Sequence, residues 1–162
     1  MWKPENRLEF EEIIEDLLAD PAVQSMRDLP QHSKSCNCFE HSLYVSYLTF
    51  LACRRLKLDY VGATRAALLH DFALRNWDHD DMGLKRLWKH PHLALENAEQ
   101  RYLLTDMQKD IIVKHMWPLT RPLPRHKESF VVSMADKLCA LMEMSHLYRL
   151  LKVRKKLAPA NT

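Results

Sequence analysis

Glycine is scarce in this sequence, with only Gly62 and Gly83 among 162 residues. The chain therefore has no Gly-rich loop of the kind that cradles phosphate, and it lacks the glycine-punctuated turns of a β-sandwich. It also has no apolar run long enough to cross a membrane. Its N-terminus is an acidic amphipathic segment rather than the apolar core of a signal peptide. We therefore expect a cytoplasmic protein that has no membrane partner.

Cysteine content and net charge argue against two further classes of protein. Cys36 and Cys38 are too close together for a typical zinc knuckle, and no second cysteine pair completes such a site. Cys53 and Cys139 fall in apolar helical patterns, so we expect them to be reduced core residues. The formal charge of +3 is mild and does not indicate a nucleic-acid polymer as partner. The basic run at 149–156 leaves nucleic-acid binding as an alternative, but it is short and is explained as well by a solvated helix end.

Apolar residues recur at helical spacing through most of the chain. The length and the 47% hydrophobic content indicate one domain with a single core. The sequence shows no convincing strand alternation, so the predicted fold is all-α, a bundle of about six main helices. Residues 1–28 are predicted to be a helical extension, and residues 145–162 a basic helix end and tail. The predicted helices cover residues 5–19, 39–56, 59–72, 90–103, 105–115 and 127–157.

Local signals predict several helix ends. Asp59 is expected to cap the third helix, and either Thr105 or Asp106 the fifth. Pro91 is expected at the first position of the helix that opens at His90. Residues 29–35 and 74–89 are predicted to be loops, the second with one short helical turn at 84–88.

Histidine and aspartate recur at inward positions or at the ends of successive predicted helices. His70-Asp71 closes an apolar stretch, His41 shares a face with core residues, and Asp136 lies within an apolar run. Imidazole and carboxylate groups are good ligands for divalent ions. Helical bundles build metal sites from side chains on facing helices. A buried carboxylate such as Asp136 is unfavourable unless it is paired or bound to a metal.

Each of these residues also has an ordinary explanation. His41 taken alone is more typical of a core histidine than of a ligand. Asp136 is equally consistent with a carboxylate that turns outward or pairs with a nearby Arg or Lys such as Lys137. His90 would serve as a loop residue that caps a helix, and His115 would face the negative end of its own helix. The joint pattern favours a site for one or two divalent ions. Its nitrogen and oxygen ligands would accept Fe, Mn, Co, Ni, Zn or Mg.

The order of these residues resembles the HD-domain superfamily of metal-dependent phosphohydrolases, and is most similar to its small bacterial members. The resemblance runs from about residue 31 to 143 and implies one HD domain over residues 1–162. The stretches that carry it are Gln31-His32, Phe39-Glu40-His41-Ser42, Leu69-His70-Asp71, residues 90–98, Lys114-His115-Met116-Trp117-Pro118 and Ala135-Asp136-Lys137.

The resemblance implies which side chains bind metal. A first ion is implied at His41, His70, Asp71 and Asp136. In relatives with two ions, the aspartate of the His-Asp pair bridges them, and two further histidines bind the second ion. His90 and His115 take those positions here. His92 competes with His90, although the position of the proline favours His90.

The implied activity is hydrolysis of a small phosphate ester, with nucleotides among the candidates, by a metal-activated water. Asp71 is expected to be catalytic. Arg75 and Lys137 adjoin the implied ligands and are the first candidates to bind substrate phosphate, with Lys114 and Arg121 behind them. Two other functions stay open. A two-iron HD-type oxygenase would need iron and dioxygen, whereas a non-catalytic binding module would hold its ion without turnover. The sequence does not predict the oligomeric state.

Overall fold

The computed structural model describes residues 4–33, 36–72 and 84–145, and the side chains within these ranges except those of 30–33 and 84–87. The prediction of an all-α fold is confirmed. Six helices in these ranges have nine or more residues, and a two-stranded hairpin accompanies them. The α-helices are α1 (Pro4–Ile13), α2 (Glu15–Ala19), α3 (Pro21–Gln24), α4 (Cys38–Leu56), α5 (Tyr60–Leu68), α6 (Leu84–Glu99), α7 (Asp106–Lys114) and α8 (Lys127–Met144). A 3₁₀ turn covers Ser25–Asp28, and the strands are β1 (Pro30–Ser33) and β2 (Cys36–Asn37).

Helix α4 lies at the centre of the bundle and packs against α5 and α8. One of its sides, including Tyr47 and Phe50, joins the buried N-terminal residues in one apolar cluster. Another side, including Val45 and Cys53, packs with α5, α7 and α8 in a second cluster. Burial of both sides explains why α4 is apolar around most of its circumference. In the described ranges, no helix combines the length and low polarity that a membrane crossing requires.

The predicted helix over residues 5–19 is interrupted at Ile14. The backbone N–H of Ile14 bonds to the carbonyl of Glu11, three residues back, at 3.3 Å. Arg65 of α5 holds the two halves together. Its guanidinium donates to the carbonyl of Ile13 at 2.8 Å and to the two carboxylate oxygens of Asp16 at 2.6 and 2.7 Å. The predicted boundary of the N-terminal extension at residue 28 stays a prediction.

Two predicted N-caps are present. The side chain of Asp59 accepts a hydrogen bond from the backbone of Gly62 at 2.9 Å. A Cβ built on Gly62 would lie only 2.6 Å from a carboxylate oxygen of Asp59 and 2.7 Å from the end of the Met107 side chain, so a larger residue here would have to displace both. Of the two alternatives for α7, Thr105 is the cap, and it forms a capping box with Gln108.

Helix α5 is shorter than predicted. It ends at Leu68, where the prediction extended it to Phe72. The N–H of Leu69 and that of Phe72 each bond to a carbonyl three residues back, which tightens the chain into a turn. His70 and Asp71 therefore lie on a turn after the helix.

The start of α6 was predicted wrongly, because the helix begins at Leu84 and contains Pro91 in its interior. An interior proline removes one helical hydrogen bond and crowds the carbonyl four residues back. Burial of His90, Ala94 and Ala98 along one face offsets that loss. The segment predicted as a loop at 29–35 contains strand β1, which pairs with β2 just after it, and both strands are too short to show alternation. Helix α8 begins at Lys127 as predicted but ends at Met144, where the prediction extended it to residue 157, and the tail from residue 146 lies outside the described ranges.

Candidate metal centre

The turn that carries His70 and Asp71 is held by two neighbouring helices. The thiol of Cys38, at the start of α4, lies 3.4 Å from the backbone carbonyl of Asp71. The amide of Asn97 on α6 donates to the carbonyl of Phe72 at 3.1 Å. The backbone of the turn is thus fixed from two sides, which sets the direction of its two side chains.

One group of ligand atoms lies where α4, this turn and α8 meet. Nε2 of His41 is 3.0 Å from Oδ1 of Asp136, and Nε2 of His70 is 3.7 Å from the same oxygen. Nε2 of His70 is also 3.5 Å from Oδ2 of Asp71. Ligands bound at right angles around one ion, each at roughly 2.1 Å, are about 3 Å apart. These separations suit donors that share an ion.

A second group lies on the other side of Asp71. Its Oδ1 is 3.5 Å from Nε2 of His90 and 3.4 Å from Nε2 of His115, and the two nitrogens are 2.8 Å apart. The two carboxylate oxygens of Asp71 therefore face different histidines. The competitor His92 is exposed and belongs to no group of neighbouring ligand atoms among the described side chains.

In the cluster, burial and neighbouring charged or hydrogen-bonding groups shift the pKa values of the side chains in opposite directions. All six predicted ligands are at most 9% exposed. Burial alone would raise the pKa of Asp71 and Asp136, but the neighbouring histidines hold both values well below the usual carboxyl range. Burial would lower the pKa of His41, but hydrogen bonds to Asp136 and Glu143 raise it to about 10. The carboxylates are consequently ionised at neutral pH, which is the form that binds cations, whereas His41 carries a second proton that a bound cation would displace.

Backbone carbonyls select the tautomer of two imidazoles. Nδ1 of His70 lies 2.8 Å from the carbonyl of Ala67, and Nδ1 of His115 lies 2.7 Å from that of Ile112. A carbonyl only accepts, so Nδ1 carries the hydrogen and Nε2 of the neutral ring presents a lone pair to the cluster. Nε2 of His70 is buried and has no hydrogen-bond partner within the described part of the chain. Such a nitrogen is unfavourable unless a ligand satisfies it, so the cluster fits a divalent ion.

Sequence reasoning missed one buried acid beside the cluster. Oε1 of Glu143 is 2.9 Å from Nδ1 of His41, and the carboxylate is fully buried. Glu143 follows Asp136 by seven residues on α8, which places both on the same helix face. A second acid seven residues after Asp136 within an apolar helix was the sequence signal that could have identified Glu143.

Of the lysine and arginine residues predicted to bind substrate phosphate, only Lys137 lies at the cluster among those that the structure describes. Nζ of Lys137 donates to the carbonyl of His115 at 2.6 Å and lies 3.3 Å from Asp136, at the edge of the cluster. Lys114 is instead bonded to Asp110 and to a backbone carbonyl, both outside the cluster. Arg121 is exposed, and Arg75 lies outside the described residues.

These features define an all-helical domain whose histidines and aspartates could hold a metal ion. The family model of the HD domain matches residues 38–141. Because this match spans more than half of the chain, the protein belongs to the HD-domain family, as the resemblance predicted. The family consists largely of metal-dependent hydrolases, and the matched range contains all six predicted ligands. No curated protein and no solved structure matches the chain.

Proposed function

We propose that this protein is a metal-dependent phosphohydrolase that cleaves a small phosphate ester, with nucleotides among its candidate substrates. The observation that carries the proposal is the position of Asp71. Its Oδ2 faces His70 and its Oδ1 faces His90 and His115. A carboxylate between two groups of imidazoles has the geometry of a ligand that two ions share.

Two overlapping ligand sets follow from this geometry. The first ion would be held by His41, His70, Asp71 and Asp136, and the second by Asp71, His90 and His115. All are nitrogen or oxygen donors, which suit Fe, Mn, Co, Ni, Zn or Mg. A divalent ion in such a site lowers the pKa of bound water and neutralises phosphate oxygens.

Lys137 is the proposed phosphate contact among the described residues. Its ammonium carries three N–H donors, and the carbonyl of His115 and the carboxylate of Asp136 orient it. The side chain is 24% exposed, so it lies between the buried cluster and solvent. A further N–H can therefore donate to a phosphate oxygen of a substrate that reaches the cluster. Arg75 stays a predicted second contact.

The test is release of inorganic phosphate from nucleoside mono-, di- and triphosphates and from simple phosphomonoesters. Protein purified without chelator is assayed with Mn²⁺, with EDTA, and with EDTA followed by excess Mn²⁺. His90→Ala and His92→Ala form a matched pair, because the two histidines lie two residues apart and only His90 is in the cluster. We expect EDTA-sensitive hydrolysis by the wild type and by His92→Ala, and strongly reduced hydrolysis by His90→Ala.

Two results would contradict the proposal. Turnover that requires bound iron and dioxygen would indicate an oxygenase. Ion binding without turnover of any ester in the panel would indicate a binding module.

A further inference from the structure

Two carboxylates on α8 contact His41 from opposite sides of its ring. Asp136 lies 3.0 Å from Nε2 and Glu143 lies 2.9 Å from Nδ1. Asp136 belongs to a group of neighbouring ligand atoms that could share an ion, whereas Glu143 belongs to none of the groups found among the described residues. Nε2 of His41 is therefore the nitrogen that faces the candidate metal centre, and Nδ1 faces away from it.

Glu143 contacts His41 in the way that backbone carbonyls contact two other histidines of the cluster. His70 and His115 each donate Nδ1–H to a carbonyl three residues back. His41 instead uses a side chain that is remote in sequence. A carboxylate that accepts from the far nitrogen of a metal-bound imidazole fixes its tautomer and orientation and increases its basicity.

We propose that Glu143 is a positioning residue, which holds the ring of His41 with its hydrogen on Nδ1 and so presents Nε2 to a divalent ion. This inference rests on the proposed function of the cluster as a metal centre. It adds a residue that does not itself reach the ion.

The burial of Glu143 argues for such a role. Its carboxylate is fully buried, and its Oε2 has no hydrogen-bond partner within the described ranges. A buried charged group with one unsatisfied oxygen is unfavourable for folding. An apolar side chain of similar size would avoid that cost but would lose the contact with Nδ1 of His41, so the reason for a glutamate here lies in that contact.

The test measures the affinity of the full chain for Co²⁺, followed by visible absorption. Glu143→Gln keeps an oxygen that can accept from His41 and removes the charge, while Glu143→Met removes the acceptor at similar volume. Loss of such an outer partner typically weakens metal binding by about 10- to 100-fold. We expect that loss for Glu143→Met and a smaller one for Glu143→Gln.

Val132→Ala is the matched control for loss of core packing. Val132 is fully buried on the same helix, and it is not a metal ligand, so its truncation should destabilise the fold and leave the Co²⁺ affinity unchanged. Equal affinity of the wild type and both Glu143 variants would overturn the role of Glu143 alone. Absence of Co²⁺ binding by the wild type would overturn the metal centre as well.

A spectroscopic measurement on the unmodified chain supplements the variants. In protein loaded with diamagnetic Zn²⁺, the nitrogen chemical shifts of His41 should show the hydrogen on Nδ1. A hydrogen on Nε2 would contradict the proposed positioning even if both substituted proteins failed to fold.

Discussion

Asp110 and Asp71 are both buried aspartates, but their surroundings differ. Asp110 is bonded to donors on three sides. Lys114 lies 2.8 Å from its Oδ1, while the backbone N–H of Arg125 and the hydroxyl of Ser129 donate to its Oδ2 at 2.8 and 2.7 Å. These bonds join α7 to the following connection and to α8. Burial would raise the pKa of Asp110, but this set of donors lowers it.

The imidazole nitrogens around Asp71 stand farther away, at 3.4 to 3.5 Å from its two oxygens. Those distances exceed the usual range of a hydrogen bond, about 2.7 to 3.2 Å, but they suit ligands on a common ion. Burial of a carboxylate therefore does not by itself reveal its role. Asp110, satisfied by fixed donors, holds elements together, whereas Asp71 faces the imidazole nitrogens of the proposed metal centre.

The largest expected effect is on activity and comes from Asp71→Asn. A divalent ion contributes several kcal/mol of charge stabilisation to the transition state, so loss of a shared ligand should lower kcat/KM by about a thousandfold. Asp110→Asn makes the same chemical change in the other region, and its kcat/KM should stay within about twofold of wild type. Steady-state measurement of kcat/KM for the two folded variants checks both expectations. Equal loss in both would remove the distinction between the two aspartates.

The next effect is on stability and comes from Asp110→Asn. The amide NH₂ of the new asparagine is itself a donor, and it would face one of the donors that now bond to the carboxylate of Asp110. A buried donor left without an acceptor lowers the free energy of unfolding by about 2 kcal/mol. Urea unfolding measures this loss. The gain in thermal stability on adding Mn²⁺ should be unchanged in Asp110→Asn and reduced in Asp71→Asn, because a ligand stabilises only the form that binds it. A reduced gain in Asp110→Asn would contradict the separation of the two regions.

A smaller effect is expected for Lys137→Met. Loss of one hydrogen bond to a charged phosphate weakens binding by roughly 1.5 kcal/mol, which corresponds to about a tenfold lower kcat/KM. Because Lys137 is not a proposed ligand, the affinity for Co²⁺ should remain within about twofold of wild type. Measuring kcat/KM and the Co²⁺ affinity on the same variant separates a role in substrate binding from a role in metal binding. A large fall in Co²⁺ affinity would show that Lys137 supports the ligands rather than the substrate.

The smallest effect is a pH dependence of stability that arises at Asp110. Its pKa is lower in the folded protein than the ordinary value of 3.8. Its ionised form therefore stabilises the fold above that value, and this contribution is lost as pH falls through the folded pKa. The free energy of unfolding should decrease more steeply below about pH 4 in wild type than in Asp110→Asn, and the two curves should converge. Parallel curves would contradict this role, since the other carboxylates are common to both proteins.

Patterns within short stretches predicted much of this molecule. Apolar spacing predicted the all-α fold, and single side chains predicted helix starts, with Asp59 for α5 and either Thr105 or Asp106 for α7. The same local signals misled where packing outweighed them. Pro91 suggested a helix start, but burial along α6 carries the helix through it. The apolar run before His70 suggested a longer α5, but the chain tightens into a turn.

Contacts between distant residues were beyond the reach of such patterns. The order of histidines and aspartates predicted a common site, because these residues recur at inward positions or at the ends of successive predicted helices. It did not reveal Glu143, which meets His41 across 102 residues of sequence. Which atoms face each other over that separation depends on how α4 packs on α8. That packing runs through the apolar cluster that contains residues of both helices.

Metal content decides whether the cluster around Asp71 is a metal centre. Elemental analysis should be made on the full chain, purified without chelator, for the wild type and for His70→Ala. With the ligand sets proposed here, we expect about one to two equivalents of transition metal per wild-type chain and a large loss in the variant. A metal-free wild type, or a His70→Ala protein with the same metal content as wild type, would contradict the assignment.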